Sequence, residues 1–422
     1  MMKAYEQGLV TEEDITIAAE RLFTTRFLLG LFDETEYDKI GYDKLECKEH
    51  IALAQRAAAE SVVLLKNDGI LPLKKGELKS VGVVGPNANS RAALIGNYHG
   101  TSSRYVTVLE GIQDTLGEDV RVFYSEGCHL FKDRVENLGL RQDRISEAVA
   151  VAKNSDVVIV CVGLDETLEG EEGDTGNSYA SGDKVDLLLP EVQRELLEAV
   201  VKTGKPVVLV NMTGSAMDLR YAQDNCAAVV QAWYPGARGG KVVADILFGE
   251  ISPSGKLPVT FYRDTEELPD FEDYSMKGRT YRYMRNEALY PFGYGLSYTE
   301  YEYGAAALHT EQFDEENQLH ISISVANQGT MEGTETVQVY VKAPGEDAPN
   351  PQLKKIIKVP LKAGETKELA FALDKKAFLL FDAEGKQKLR SGTYQIYIGG
   401  QQPDARSREL TGRSPACLTL EL

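Results

Sequence analysis

The sequence predicts a mostly parallel α/β sandwich domain followed by an antiparallel β-sandwich. Between residues 47 and 262, short β-branched runs such as "DVVIVCVG" and "PVVLVNM" alternate with helical stretches, the arrangement of a parallel sheet covered on both faces. Over residues 301–422 the period changes to two-residue alternation, as in "TETVQVYVKAP" and "GTYQIYIGG", which suits half-buried antiparallel strands. The 422 residues also exceed what one hydrophobic core usually holds.

The elements follow in order. Thr11 precedes Asp14 at capping-box spacing, and Ile15, Ala18, Ala19 and Leu22 fall at i, i+3, i+4 and i+7. "TEEDITIAAERLFTTRFLLGLFD" therefore predicts an amphipathic helix ending near Gly30. The polar "DETEYDKIGYDKLEC" reads as a linker and closes a first segment, residues 1–46. "HIALAQRAAAESVVLLKN", "DRISEAVAVAKN", "PEVQRELLEAVVKTG" and "GGKVVADILFG" predict helices. "LKSVGVVGP", "VRVFYS", "DVVIVCVG", "PVVLVNM" and "AAVVQAW" predict buried strands bounded by Gly, Pro or Asn, and functional loops of such a sheet sit at the strands' carboxyl ends. Residues 263–300, rich in Tyr, Gly and Pro, fit neither period and read as a structured connection. "LHISISVANQG" and "LKKIIKVPLKAGETKELAFALD" supply further strands of the β-sandwich.

Composition narrows the function classes. The formal net charge of -19 argues against nucleic acid or an anionic membrane as partner, because binding phosphates needs a basic patch; a neutral substrate fits better. The five cysteines are widely spaced, odd in number and without a CxxC, so they read as reduced and mostly buried, with no zinc site. No run approaches the roughly 18 apolar residues of a membrane span. "MMKAYEQGLVTEED" shows no basic region followed by an apolar stretch, so a cytoplasmic location is the expectation.

Single motifs mostly read as structure. "VGVVGPNAN" lacks both GxGxxG and GxxxxGK[ST] and reads as a turn rather than a phosphate cradle. "NMTGSAMDL" is not a nucleophile elbow. The five histidines are dispersed without an H-E-x-x-H, which leaves no metal motif, and His50 and His129 read as caps or satisfied core residues. The loop "GLDETLEGEEGDTGNSYASGDK" is different, since it crowds Glu166, Glu169, Glu171 and Glu172 behind the buried run "VVIVCV". A glycosidase needs two carboxylates and little else, and neighbouring carboxylates with partial burial raise a pKa as a general acid requires. On composition alone the loop is a solvated acidic turn.

Ordered blocks over nearly the whole chain decide between the two readings. "ESVVLLKNDGILPL", "GNYHGTSSRYVTVLEGI", "SDVVIVCVGLDETLEGE", "AWYPGARGGKVVADILFGEISPSGKLPVTFY" and "LYPFGYGLSYT" together resemble glycoside hydrolase family 3, in particular its β-xylosidase branch, with β-glucosidase as the alternative. "VANQGTMEGTETVQVYV" is similar to the start of the fibronectin type III-like domain common in that family. The resemblance implies retaining hydrolysis without metal or organic cofactor, by an Asp nucleophile on a (β/α)8 barrel and a Glu acid/base on a loop of the α/β sandwich. It places the acid/base at Glu169, with Glu171 second and Glu166 third. Asn97, His99, Ser103, Arg104 and Glu171 become candidate substrate contacts, and Asp183 a loop stabiliser.

The departure from the family is as informative. There is no "SDW"-like nucleophile block, the one tryptophan being Trp233, and a barrel of about 250 residues cannot fit before residue 46. The first helix then resembles a residual last barrel helix. Three readings follow: the C-terminal portion of a family 3 enzyme acting on β-linked oligosaccharides or aryl glycosides, one half of a two-chain enzyme with a separate barrel domain as partner, or a non-catalytic carbohydrate-binding module. A homo-oligomer is left open.

Overall fold

The structure, a computed structural model, describes every residue except 171–183, 185, 271, 311 and 315. It divides into two compact units, Met1–Ala52 and Leu53–Leu422.

In the first unit, α1 (Met2–Glu6) precedes α2 (Glu12–Leu28). The predicted capping box is present: Asp14 N–H donates to the Thr11 hydroxyl at 3.1 Å, and Thr11 N–H donates to the Asp14 carboxylate at 2.9 Å. No residue of either helix is buried. Ile15 and Ala19 are partly covered, whereas Leu22, Phe23, Phe27 and Leu28 are exposed.

Helix α3 (Lys48–Ser61) leads into the strands β1 (Val63–Asn67), β2 (Ser80–Val84), β3 (Arg121–Ser125), β4 (Val157–Gly163), β5 (Val207–Met212) and β6 (Ala228–Gln231). They form one sheet of order β1-β6-β5-β4-β2-β3. β2 to β6 are parallel, and β1 lies antiparallel to β6. Between the strands run α4 (Ala92–Ile95), α5 (Val108–Leu116), α6 (Asp143–Lys153), α7 (Glu191–Val201), α8 (Arg220–Asn225) and α9 (Gly239–Leu247). Alternate strand residues serve opposite faces, as the pleat requires. Val81, Ile159 and Val210 pack with α5 and α9, while Val84, Val158 and Leu209 pack with α6 and α7. With both faces covered, β4 and β5 are buried at every residue, which is why they read as continuous apolar runs.

The structure corrects one helix. Residues 62–67, assigned above to the end of a helical stretch, leave the helix at Ser61 and form the sixth strand. Val62 to Leu65 are all buried, and a short apolar run of this kind cannot be assigned to helix or strand by periodicity.

Residues 263–300 contain the single turn α10 (Thr280–Tyr283). They deliver Tyr290 and Tyr294 into the core on the α6/α7 face. The β-sandwich comprises β7 (Tyr301–Tyr303), β8 (Ala307–Leu308), β9 (Gln318–Asn327), β10 (Gly333–Lys342), β11 (Gln352–Leu361), β12 (Thr366–Asp374), β13 (Leu380–Phe381), β14 (Gln387–Lys388), β15 (Thr393–Gly399) and β16 (Ala416–Glu421), with α11 (Ala405–Thr411) before the last strand. One sheet has the order β11-β10-β15-β16 and the other β12-β9-β7, with β8 beside β9. Ile321, Ile323, Val337, Val339 and Ile396 fill the space between them. The sandwich is hydrogen-bonded to the α/β part through Thr336 Oγ1 to the Ser254 carbonyl (2.9 Å) and Gln338 Nε2 to the Gly293 carbonyl (2.8 Å).

Candidate active site

At the carboxyl ends of the parallel strands the backbone ladder stops, and its buried N–H and C=O groups need other partners. Side-chain amides supply them. Gln193 of α7, fully buried, accepts from Gly163 N–H at 2.8 Å and donates to the carbonyls of Gly163 (2.8 Å) and Leu130 (2.6 Å). Asn87, just past β2, donates to the Leu164 carbonyl at 3.0 Å. Asn211 of β5 donates to Gln231 Oε1 of β6 at 2.6 Å, and Gln231 Nε2 donates to the Thr213 carbonyl at 3.0 Å. The edge that presents the loops is thereby fixed.

The acid loop leaves β4 on this edge. Asp165 accepts from Thr167 N–H (2.9 Å) and its hydroxyl (2.6 Å), while the Asp165 carbonyl accepts from the N–H groups of Leu168 (3.0 Å) and Glu169 (2.9 Å). That single turn buries Leu168 and carries Glu169 back over the end of β5. There Glu169 Oε2 accepts from Gly214 N–H at 2.7 Å and from the Tyr234 hydroxyl at 2.5 Å. Burial, followed by the Glu169 charge, pushes the Tyr234 phenol far above its ordinary pKa, so it stays a donor.

The Tyr234 ring occupies space left by two glycines. A Cβ at Gly96, whose φ is +61°, would lie 2.5 Å from Tyr234 Cδ2; one at Gly214 would lie 3.0 Å from Tyr234 Cε2 and 3.1 Å from Glu169 Oε2. Trp233, at φ +58°, turns the chain sharply after β6, and its Nε1 donates to the Ser61 carbonyl at 3.0 Å. Lys184, on the far side of the loop, donates to the Ser215 hydroxyl (2.5 Å) and the Ala216 carbonyl (3.2 Å). Burial lowers its pKa, against the pull of Glu169 and Asp186.

The predicted candidates separate into groups. Glu166 Oε2 lies 3.0 Å from His99 Nε2, and His99 Nδ1 lies 2.9 Å from the Gly100 carbonyl. Both partners only accept, so the doubly protonated ring is the form that satisfies both contacts. The Gly100 carbonyl and then Glu166 raise its pKa. Asn97 is used locally, accepting from Tyr98 N–H at 2.9 Å. The Arg104 guanidinium is paired with Glu110 at the start of α5, and Ser103 is exposed in the same loop. Glu171, Glu172 and Asp183 lie outside the described residues. His129 caps no helix but is satisfied in a turn, its Nδ1 accepting from Phe131 and Lys132 N–H at 3.1 and 3.0 Å. Cys128, Cys161 and Cys226 are buried, and burial pushes the Cys226 thiol up to about 12. Tyr234 is the site residue that sequence reasoning missed, although "AWYPG" at a strand end carried the signal.

Comparison with known proteins identifies both domains. Residues 62–298 fit the profile of the glycosyl hydrolase family 3 C-terminal domain, and residues 335–402 that of the fibronectin type III-like domain. Among curated relatives, a xylan 1,4-beta-xylosidase of Xylanibacter ruminicola is 30% identical over 97% of this chain and 63% of its own length. A beta-xylosidase of Formosa agariphila is 34% identical over 90% of this chain and 53% of its own. The thermostable beta-glucosidase B of Acetivibrio thermocellus is 34% identical over 97% of this chain and 54% of its own. Of solved structures, a β-glucosidase from Erythrobacter marinus superposes with a TM-score of 0.80 at 32% identity, covering 100% of this chain and 57% of that one. An exo-β-xylosidase bound to a xylobiose aziridine probe does so with 0.81 at 27%, covering 100% and 55%. The chain spans little more than half the length of the relatives it matches.

Proposed function

The chain belongs to glycoside hydrolase family 3, and from that premise we propose that it is the acid/base-bearing portion of a retaining glycosidase that releases terminal β-linked sugars, β-D-xylosides first among them. The observation that carries this reading is the Glu169 carboxylate, held on the sheet edge by Tyr234 and Gly214. In such a mechanism Glu169 protonates the glycosidic oxygen while a second carboxylate attacks the anomeric carbon. It then takes a proton from the water that releases the sugar. Tyr234 and Gly214 both bind Oε2 and so orient the group, leaving Oε1 for the proton.

The second carboxylate is assigned to a barrel domain outside residues 1–422, and the exposed Leu22, Phe23, Phe27 and Leu28 of α2 support an apolar partner surface of this kind. β-Glucoside hydrolysis is the alternative, supported by the relatives named β-glucosidases.

The test is an assay of this chain joined to a family 3 barrel domain. Glu169→Gln should lower turnover of xylobiose about 10²–10⁴-fold and that of activated aryl xylosides much less, because a good leaving group needs no proton. Unchanged xylobiose turnover would sink the Glu169 assignment. The same loss in Glu171→Gln alone would move the role two residues along the loop.

A further inference from the structure

A cleft of about 800 Å³ lies between the α/β part and the β-sandwich, lined by Lys256, Tyr301, Tyr303, Glu335 and Arg413 among others. Its volume falls within the range of ligand pockets, roughly 300–1,000 Å³. It is formed mainly by Lys256, the stretch 295–303, Glu335 of β10, residues 399–401 and the loop before β16, none of which contributes to the acid loop.

The polar groups facing it are incompletely matched. Lys256 sits deep among protein atoms yet keeps part of its surface open. Its ammonium donates to the Gly295 carbonyl at 2.7 Å, and among the described residues no carboxylate pairs with it. Glu335 is 5% exposed and accepts from the Tyr303 hydroxyl at 2.7 Å. Tyr301 also lines the cleft, but its hydroxyl is buried beside Ser297, whose own hydroxyl is bonded to Ser252 at 2.9 Å. A largely buried ammonium and carboxylate that line one space without pairing to one another are unfavourable when that space holds nothing polar.

The charges indicate what would fill it. Arg413 and Glu300 pair with each other at 2.9 Å, which leaves a cation to meet Lys256 and an anion to meet Glu335. A neutral polyol offends neither, since each of its hydroxyls both donates and accepts and neighbouring hydroxyls can bridge an ammonium and a carboxylate too far apart to pair. We propose that this cleft is a second saccharide-binding site, separate from the acid loop, whose ligand is a neutral sugar spanning Lys256 and Glu335. The site stands on its own geometry; only the choice of xylose-based probes rests on the function proposed above.

The experiment is ligand-observed NMR and calorimetry on the 422-residue chain with D-xylose, xylobiose and D-glucose, with glycine as a zwitterionic control. Saturable sugar binding is expected. Glu335→Gln keeps the shape and an acceptor for the Tyr303 hydroxyl, so the fold should survive, and Lys256→Met keeps the apolar stem. Each should weaken binding about 10-fold or more, while Glu169→Gln leaves it within about twofold. Absence of saturable binding to the folded chain would overturn the proposal. So would binding of glycine without sugar, or sugar binding that is lost in Glu169→Gln and kept in Lys256→Met; that last result would leave the acid/base reading intact.

Discussion

Tyr234 couples three loops through one side chain: its hydroxyl binds Glu169 from the loop after β4, and its ring fills the gaps at Gly96 and Gly214. Gly96→Ala should therefore lower unfolding free energy by about 1–3 kcal/mol, the usual cost of overpacking. Tyr234→Phe keeps the ring and loses a hydrogen bond to a charged group, about 1.5–3 kcal/mol, and urea titration reads both. His99 provides a pH signature. Its pKa is raised in the folded state by Gly100 and Glu166. Its contribution is thus complete below about pH 6.5, the unfolded value, and fades as pH climbs through the folded one. An NMR titration should place the His99 midpoint above 6.5, and Glu166→Gln should move it part of the way back, the Gly100 bond remaining. At this scale the acid loop stood out because four glutamates crowd it, but only the family resemblance singled out Glu169 among them. Tyr234 was not, because its role exists only where separate loops meet in space.

At the scale of elements, α7 does more than cover the sheet. Through Gln193 it closes the hydrogen bonds of Gly163 and Leu130. Gln193→Leu retains volume but strands three backbone groups, each costing about 1–3 kcal/mol when buried unsatisfied. A loss of at least about 3 kcal/mol in chemical denaturation is expected, larger than for exposed positions of the same helix such as Arg194→Leu. Strands β4 and β5 were legible because burial on both faces leaves unbroken apolar runs between turn residues. β1 was hidden for the same reason in reverse: its apolar run abuts α3 with only Val62 between them, so no turn residue marks the change of period. The short β7, β8 and β16 and helix α11 escaped the sequence reading because two or three alternations do not establish a period.

For the whole molecule, the two units differ in how much they bury. Among residues 1–46 none is buried, whereas the second unit holds three apolar cores. Segments with few buried contacts open at little free-energy cost, so limited trypsin digestion should cut first at Lys39 or Lys44 and leave a resistant fragment beginning near Lys48, identified by mass. Early cleavage inside the sheet or the β-sandwich would contradict this ordering. The reversed direction of β1 has a mechanical meaning. Because it runs against its neighbours, the rung that pairs Val63 with Gln231 stands at the edge where Tyr234 and Glu169 meet, and the Trp233 indole bolts the preceding Ser61 to that edge. Tension arriving through α3 would load this rung first and peel the strand away one pair at a time, so the edge that carries Glu169 would feel a pull on the chain before the interior of the sheet does.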